Sequence, residues 1–352
     1  MLLHCSMAWA VARVCHRRNT SCHTLRLHSL SHLLPFVLSV LLVTSPFFAL
    51  VLCGYMATRR GLLPLPAIGG LNSFVLYFAL PCMLYRFGAR TPIAELLDPA
   101  VAGVYIACAL VMVGSVVALT RRRLGWNDAA FGALVTAFPN TGFMGVPLLL
   151  ALLGTHSTGP VILAVAADML VTTSLCIALS RLGMGRGAGG ALRHALTGMA
   201  ANPMPWAIVL GVLASWAQWT LPAPVEQAVA MLADAASPVA LFTIGAVLAR
   251  SQMNAGERVA VRDYVPLALA KLLLHPLLAW LMGRAAIALG VPLSEQALVV
   301  LVLLAALPSA SNVSLLTERF GAHGGRVARV ILASTALAFV TFSGVVALMA
   351  AN

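Results

Sequence analysis

Ten stretches of this chain, at roughly residues 35–57, 67–88, 99–120, 127–153, 160–182, 203–220, 226–249, 263–289, 294–318 and 327–350, are apolar and nearly free of charge. Each is long enough for the ~20 residues that carry a helix across a bilayer. Hydrocarbon offers no hydrogen-bond partners, so backbone placed in it has to satisfy its own N–H and C=O groups within helices. The expected fold is therefore an all-α polytopic membrane protein with ten transmembrane helices. The composition, 61% hydrophobic and only 9% charged, agrees.

Two of these stretches are interrupted near their middles by a proline followed closely by an asparagine, at Phe138-Pro139-Asn140-Thr141-Gly142 and at Leu307-Pro308-Ser309-Ala310-Ser311-Asn312. A proline removes a backbone donor and clashes with the preceding turn, which strands polar groups that protein, water or a bound solute must satisfy. Pro139 and Pro308 lie 169 residues apart. Interrupted spans at matching places in two halves of a membrane protein point to a transporter's binding site.

Arginine placement sets the orientation, because Lys and Arg near span ends are retained on the cytoplasmic side. Alternate loops hold Arg59 and Arg60; Arg121, Arg122 and Arg123; Arg181, Arg186 and Arg193; Arg250, Arg258 and Arg262; and Arg319, Arg326 and Arg329. The opposite loops hold only Arg86 and Arg90. The first set is expected inside, with both ends of the ten-helix core outside, in the manner of a multi-pass protein of a bacterial inner membrane. The net charge of +12 is then a topology signal spread over short loops, and no nucleic-acid partner is expected.

Residues 1–32 hold five of the nine His and three of the seven Cys, in no zinc-site spacing. This extension is expected to be disordered or a mis-set start, ahead of a leader or a functional arm. Cys53, Cys82, Cys108 and Cys176 are scattered through spans and read as small apolar fillers, so no metal site is expected.

The glycine- and arginine-rich loop Gly183–Thr197 divides the spans five and five. Residues 33–182 form the first five-helix repeat, 183–202 a cytoplasmic linker, and 203–352 the second repeat, offset by roughly 168 positions. Five is odd, so the second half enters from the opposite face. Two inverted repeats then share an axis in the membrane plane, and the broken spans, fourth and ninth, meet at it.

The stretch from Phe138 through Asn140, Gly142 and Gly145 to Leu148 resembles the signature of the auxin efflux carrier family. Leu71–Pro81, Ser237–Gly245 and Ala305–Pro308 agree with it in order and spacing, and the resemblance runs from about residue 33 to the C-terminus. The short Gly183–Thr197 loop resembles that of bacterial-type members. The resemblance implies a fold like the bile acid–sodium symporter superfamily, with helices 4 and 9 crossing at their prolines. It further implies that helices 3 to 5 and 8 to 10 move against helices 1, 2, 6 and 7, that the cargo is a small organic anion, that coupling is to H⁺ or Na⁺, and that a homodimer forms through the static helices. Malonate, malate or another short mono- or dicarboxylate is the implied cargo, with an auxin-like aromatic acid next.

Within such a site, Asn140 and Asn312 offer amides beside the breaks, with Thr141, Ser309 and Ser311 as hydroxyl partners. The alternative is that they cap the broken helices. Pro139 and Pro308 are structural in either case, and Gly142 and Gly145 are expected to let backbones cross closely. Each break also exposes a half-helix N-terminus, which suits a carboxylate.

Asp168, Asp234 and Lys271 are ionisable groups inside spans, where a charge costs about 2.5–3.5 kcal/mol on insertion scales and is kept for function. Asp168 is a candidate proton acceptor or cation ligand, or a partner of Lys271. Asp234 is a candidate hinge or gating contact, and Lys271 a candidate attractor for the anion or substitute for a bound cation. Two other classes compete with secondary transport. An intramembrane enzyme would use Asp168 and Asp234 as a carboxylate dyad, but no nucleophile elbow, metal-ligand pair or cofactor motif accompanies them. A passive anion channel would need a continuous polar stripe, whereas polarity here is concentrated at the two breaks.

Overall fold

Apolar runs punctuated by proline and glycine fold here into helices joined by short turns. The computed structural model describes residues 45–90, 98–154, 157–182, 203–253 and 259–351, all within one compact unit. The 1–32 extension and the 183–202 linker lie outside the described residues.

The helices, in chain order, are α1 (residues 45–59), α2 (Ala67–Arg90), α3 (99–124), α4 (126–137), α5 (Thr141–Leu153), α6 (Thr158–Arg181), α7 (Pro203–Trp216), α8 (Ala223–Met253), α9 (Val261–Ala288), α10 (Glu295–Ala306), α11 (Val313–Arg319) and α12 (Gly324–Ala351). Asp98 starts α3 by accepting from the N–H groups of Ala100 and Val101, with Pro99 at the first helical position. Gly125, at φ 78° and ψ 170°, separates α3 from α4, a backbone conformation glycine adopts without a Cβ penalty. Ser294 caps α10 by accepting from Ala297 N–H at 3.1 Å.

The all-α expectation holds, since the described residues contain no strand beyond one isolated antiparallel bridge, Pro139 to Ser309. Among the described residues, six helices are long and apolar enough to cross a bilayer alone: α2, the α3–α4 run, α6, α8, α9 and α12. The stretches at 127–153 and 294–318 are pairs of shorter helices, because Pro139 and Pro308 end the helical ladder midway. α7 has 14 residues, and the first stretch is described only from residue 45.

Two glycine crossings bring backbones together. At Gly54 a Cβ would run into the Phe242 carbonyl, and at Gly245 into that of Val51, so α1 and α8 pack main chain on main chain. Gly88 and Gly211 do the same for α2 and α7, where a Cβ at Gly211 would lie 2.5 Å from the Tyr85 carbonyl.

Among the described residues, several polar links between distant helices fall into two groups. One ties α1, α2 and α8: Tyr55 to Gln252 at 2.6 Å, Arg86 to Asp234 at 2.7 Å and Arg90 to Glu226 at 3.6 Å. The other ties α3 to α6 and α9, and α4 to α12: Tyr105 to Asp168 and Arg123 to Asp263 at 2.7 Å, and Arg326 to Asp128 at 3.5 Å. Between the groups, Phe48 meets Phe339 edge to face at 5.0 Å, an apolar contact.

Candidate functional site

The two broken segments cross at their prolines and repair each other. Asn140 N–H donates to the Pro308 carbonyl at 2.8 Å, and Ala310 N–H donates to the Phe138 carbonyl at 3.0 Å. Groups that the prolines remove from the helical ladder thus find partners across the crossing rather than in lipid. Ser309 N–H donates to Ser334 Oγ of α12 at 3.1 Å. Beyond the crossing, the Asn140 carbonyl accepts from Met144 and Gly145 N–H at 3.0 Å each, which opens α5 with a π-helical turn, Thr141–Gly145.

The side chains at the crossing are less well satisfied than its backbone. Asn140 is 3% exposed, and its amide makes no capping hydrogen bond. Ser309 Oγ and Asn312 Oδ1 are buried without a partner. Thr141 is fully buried, with a long 3.5 Å contact from its hydroxyl to the Pro139 carbonyl, and Ser311 is buried with its carbonyl taken by the Ser314 hydroxyl at 2.8 Å. Asn140 and Asn312 both border a small cleft at the crossing that is also lined by residues of α2, α6 and α7. Unpartnered buried polar atoms are uncommon in native proteins, and each calls for a water, an ion or a ligand.

Two buried charges flank the crossing, each on a π-helical turn, a distortion frequent at functional sites. Asp168 begins the turn Asp168–Thr172 and accepts from Tyr105 Oη at 2.7 Å and from Thr172 Oγ1 at 3.1 Å. Lys271, the chain's single lysine, lies in the turn Ala270–Leu274. Its ammonium donates to the Ala305 carbonyl at 2.7 Å and lies 2.9 Å from His275 Nδ1. Ala305 is in the last turn of α10, so the lysine meets the negative end of that helix dipole just before the second break. Asp168 and Lys271 are not in ion-pair contact, their polar atoms being bonded elsewhere.

Five of the residues singled out from the sequence, Asn140, Thr141, Ser309, Ser311 and Asn312, therefore gather at one crossing with Pro139 and Pro308. Asp234 is apart from them, its side chain 69% exposed and paired with Arg86, and the structure brings it to no dyad with Asp168. Gly142 differs from expectation. A Cβ there would have its nearest neighbour, Leu80, at 4.0 Å, so Gly142 opens the cleft, and the close approach is at Gly145 against Leu307. Tyr105 and Ser334 were not singled out. A lone tyrosine in an apolar run was the available signal, since a buried phenol needs a hydrogen-bond partner.

A helical, multi-pass architecture with broken helices crossing at their prolines is a layout that recurs among membrane transport proteins. The chain belongs to the membrane transport protein family, the auxin efflux carriers, whose model matches residues 40–194 and 191–346. Over 317 residues, 86% of this chain and 94% of the relative, it is 30% identical to a protein of Rhizobium meliloti (strain 1021) named "Putative malonate transporter". It is 26% identical over 309 residues, 84% of this chain and 92% of the relative, to the Uncharacterized transporter YfdV of Escherichia coli (strain K12). An Uncharacterized transporter of Methanothermobacter thermautotrophicus is 27% identical over 233 residues, 65% of this chain and 74% of that one. The protein is a multi-pass membrane transporter of this family.

Proposed function

We propose that this protein is a secondary active transporter that carries a small organic anion by alternating access at the crossed breaks. The observation that carries the reading is the pair of unpartnered polar atoms at the crossing, Ser309 Oγ and Asn312 Oδ1, with the uncapped amide of Asn140, beside a cleft between the two groups of helices. A carboxylate bound there would engage them and the dipole end of α5. A relative named for malonate transport supports a carboxylate cargo, with malate or an auxin-like acid as further candidates.

An inverted five-helix repeat is supported by equivalent positions in the two halves. Gly54 and Gly211 are 157 residues apart, as are Gly88 and Gly245, so the two glycine crossings exchange under one pseudo-two-fold operation. Tyr105 and Lys271 are 166 apart, as are Asp168 and Ser334, and all four bear on the breaks. The grouping of polar links supports two bodies that slide on an apolar interface, α1, α2, α7 and α8 against the rest. In this reading Asp168 serves H⁺ or Na⁺ coupling, the arginine-rich loops face the cytoplasm of a bacterium, and the termini of the core lie outside its inner membrane. The exposed, ion-paired state of Asp234 disfavours the dyad that an enzyme would need.

The test is uptake of radiolabelled carboxylates into proteoliposomes under imposed pH or sodium gradients. Accumulation against a gradient is expected, lost in Pro139→Ala/Asn140→Ala and uncoupled from the ion in Asp168→Asn. Equilibration without accumulation would indicate a channel, and chemical conversion of the acid an enzyme. Unchanged uptake by a correctly inserted Pro139→Ala/Asn140→Ala protein would overturn the assignment of the site.

A further inference from the structure

We propose that Asn127 and Asp128, at the start of α4, are positioning residues that hold the two broken segments in register from about 15 Å away, the length of α4 between them and the crossing. A polar pair at a helix start ordinarily caps its own helix. Here both side chains reach instead to the turn between α11 and α12, 193 to 195 positions further along the chain. Asn127 Nδ2 donates to the Phe320 carbonyl at 3.2 Å and to the Gly321 carbonyl at 3.1 Å. Asp128 Oδ1 accepts from His323 N–H at 2.8 Å, and its Oδ2 lies 3.5 Å from Nη1 of Arg326, itself 7% exposed. These are groups that helix ends leave over: α11 closes with Gly321 at φ 64° and Ala322 N–H returned to the Thr317 carbonyl at 3.0 Å, and the Phe320 and Gly321 carbonyls lie past its last turn. The Asp128 carboxylate faces the positive end of the α12 dipole. Two neighbouring side chains thus cap the end of one distant helix and the start of the next, and Phe131, one turn further along α4, packs its ring on Phe320 at 5.8 Å.

The importance of this latch lies in what α11 carries. With seven residues, α11 is too short to persist without tertiary support. It begins just past the second break, whose backbone is bonded to Asn140 and Phe138 at the crossing and, through Ser309 N–H, to Ser334 of α12. Its far end is held by Asn127 and Asp128. α4 runs between the same two places, from the latch to Phe138, so latch, α4, crossing and α11 close a ring. Arg326 and Ser334, two turns apart on α12, brace that ring at both of its joints. The backbone bonds that repair the breaks weaken steeply once donor and acceptor drift from their geometry. A half-helix tied at both ends keeps that geometry, and one tied only at the break does not. The two half-helices on this side of the crossing therefore move as one piece, and loosening Asp128 is felt at Asn140 and Ala310 as well as in the turn it touches.

The deciding experiment is amide hydrogen exchange of the full chain in lipid nanodiscs, followed segment by segment. Asp128→Ala is expected to speed exchange about tenfold in segments 138–146 and 308–316, which hold the crossing amides, and to leave 297–304 of α10 at the parent's rate. Asp128→Asn keeps an oxygen for His323 N–H and is expected to bring the crossing back to within about threefold of the parent. A side chain that only capped its local turn would speed exchange in 320–327 and leave the crossing untouched. That result would overturn the inference, as would a uniform rise along the whole chain or a failure of Asp128→Asn to restore the crossing. Should Asp128→Ala fail to fold, Asn127→Ala is read in the same segments and decides by the same criteria. Exchange is measured with no acid present, so its failure leaves the transport reading standing, and a lack of uptake leaves the latch standing.

Discussion

Replacing Tyr105 by Phe takes one hydroxyl from a buried site and leaves the ring in place. Tyr105 is 4% exposed and Asp168 fully buried, and their 2.7 Å contact is a hydrogen bond to an ionisable carboxyl group. Such bonds are worth about 1.5–3 kcal/mol, and the loss is felt in full because Asp168 Oδ2 is left with no other donor. With roughly 2 °C of melting temperature per kcal/mol for a chain of this size, Tyr105→Phe should melt about 3–6 °C below the parent in detergent. The same change in an Asp168→Asn background removes only a neutral hydrogen bond and should cost about 1 kcal/mol or less. The coupling between the two substitutions should accordingly come to about 0.5–2 kcal/mol, at or above the roughly 0.5 kcal/mol within which independent sites add. Thermal unfolding followed by tryptophan fluorescence on the four proteins closes the cycle. Equal losses in both backgrounds would refute the idea that the phenol holds the carboxylate.

Lys271→Met should retain insertion but leave the Ala305 carbonyl unsatisfied, lowering stability by about 1–3 kcal/mol and transport with it; a thermal-shift and uptake comparison with the parent checks both. Gly245→Ala should destabilise by about 1–3 kcal/mol because its Cβ meets the Val51 carbonyl, whereas Gly103→Ala, with open space at the same atom, should be neutral or slightly stabilising. Bridging cysteines placed at Phe48 and Phe339 with a bifunctional maleimide should arrest uptake, since that pair joins the two groups of helices; a bridge between cysteines at Tyr55 and Gln252, inside one group, should leave it running. Continued uptake in the first case would argue against relative movement of those groups.

Hydropathy alone located nearly every helix, because a bilayer-crossing helix is a local solution to a local problem: each N–H is satisfied four residues away in the same apolar run. The interruptions were equally legible, since Pro139 and Pro308 cannot continue a ladder wherever they are placed. Asn140 and Asn312 were legible as polar residues beside those breaks, and the absence of a cap on Asn140 was not, because a capping bond depends on one rotamer. The glycines divided unevenly: Gly145 packs against Leu307 as a small crossing residue does, and Gly142, three positions away, opens the cleft instead.

Tertiary structure decided the partners. Asp168 and Lys271 read as a pair by charge, yet each is bonded to something else, Tyr105 lying 63 positions from the aspartate and Ala305 34 from the lysine. Asp234 read as a second intramembrane carboxylate, and its helix turns it outward to Arg86. The π-helical turns under Asp168 and Lys271 leave no mark in a period-3.6 pattern, because one extra residue per turn is absorbed without changing which residues are apolar. By itself the sequence determined that the chain is a bundle of apolar helices with two breaks, since those follow from single residues and their solvent. Which break pairs with which, and which polar atoms are left open beside the cleft, depended on helices more than a hundred residues apart meeting at one point.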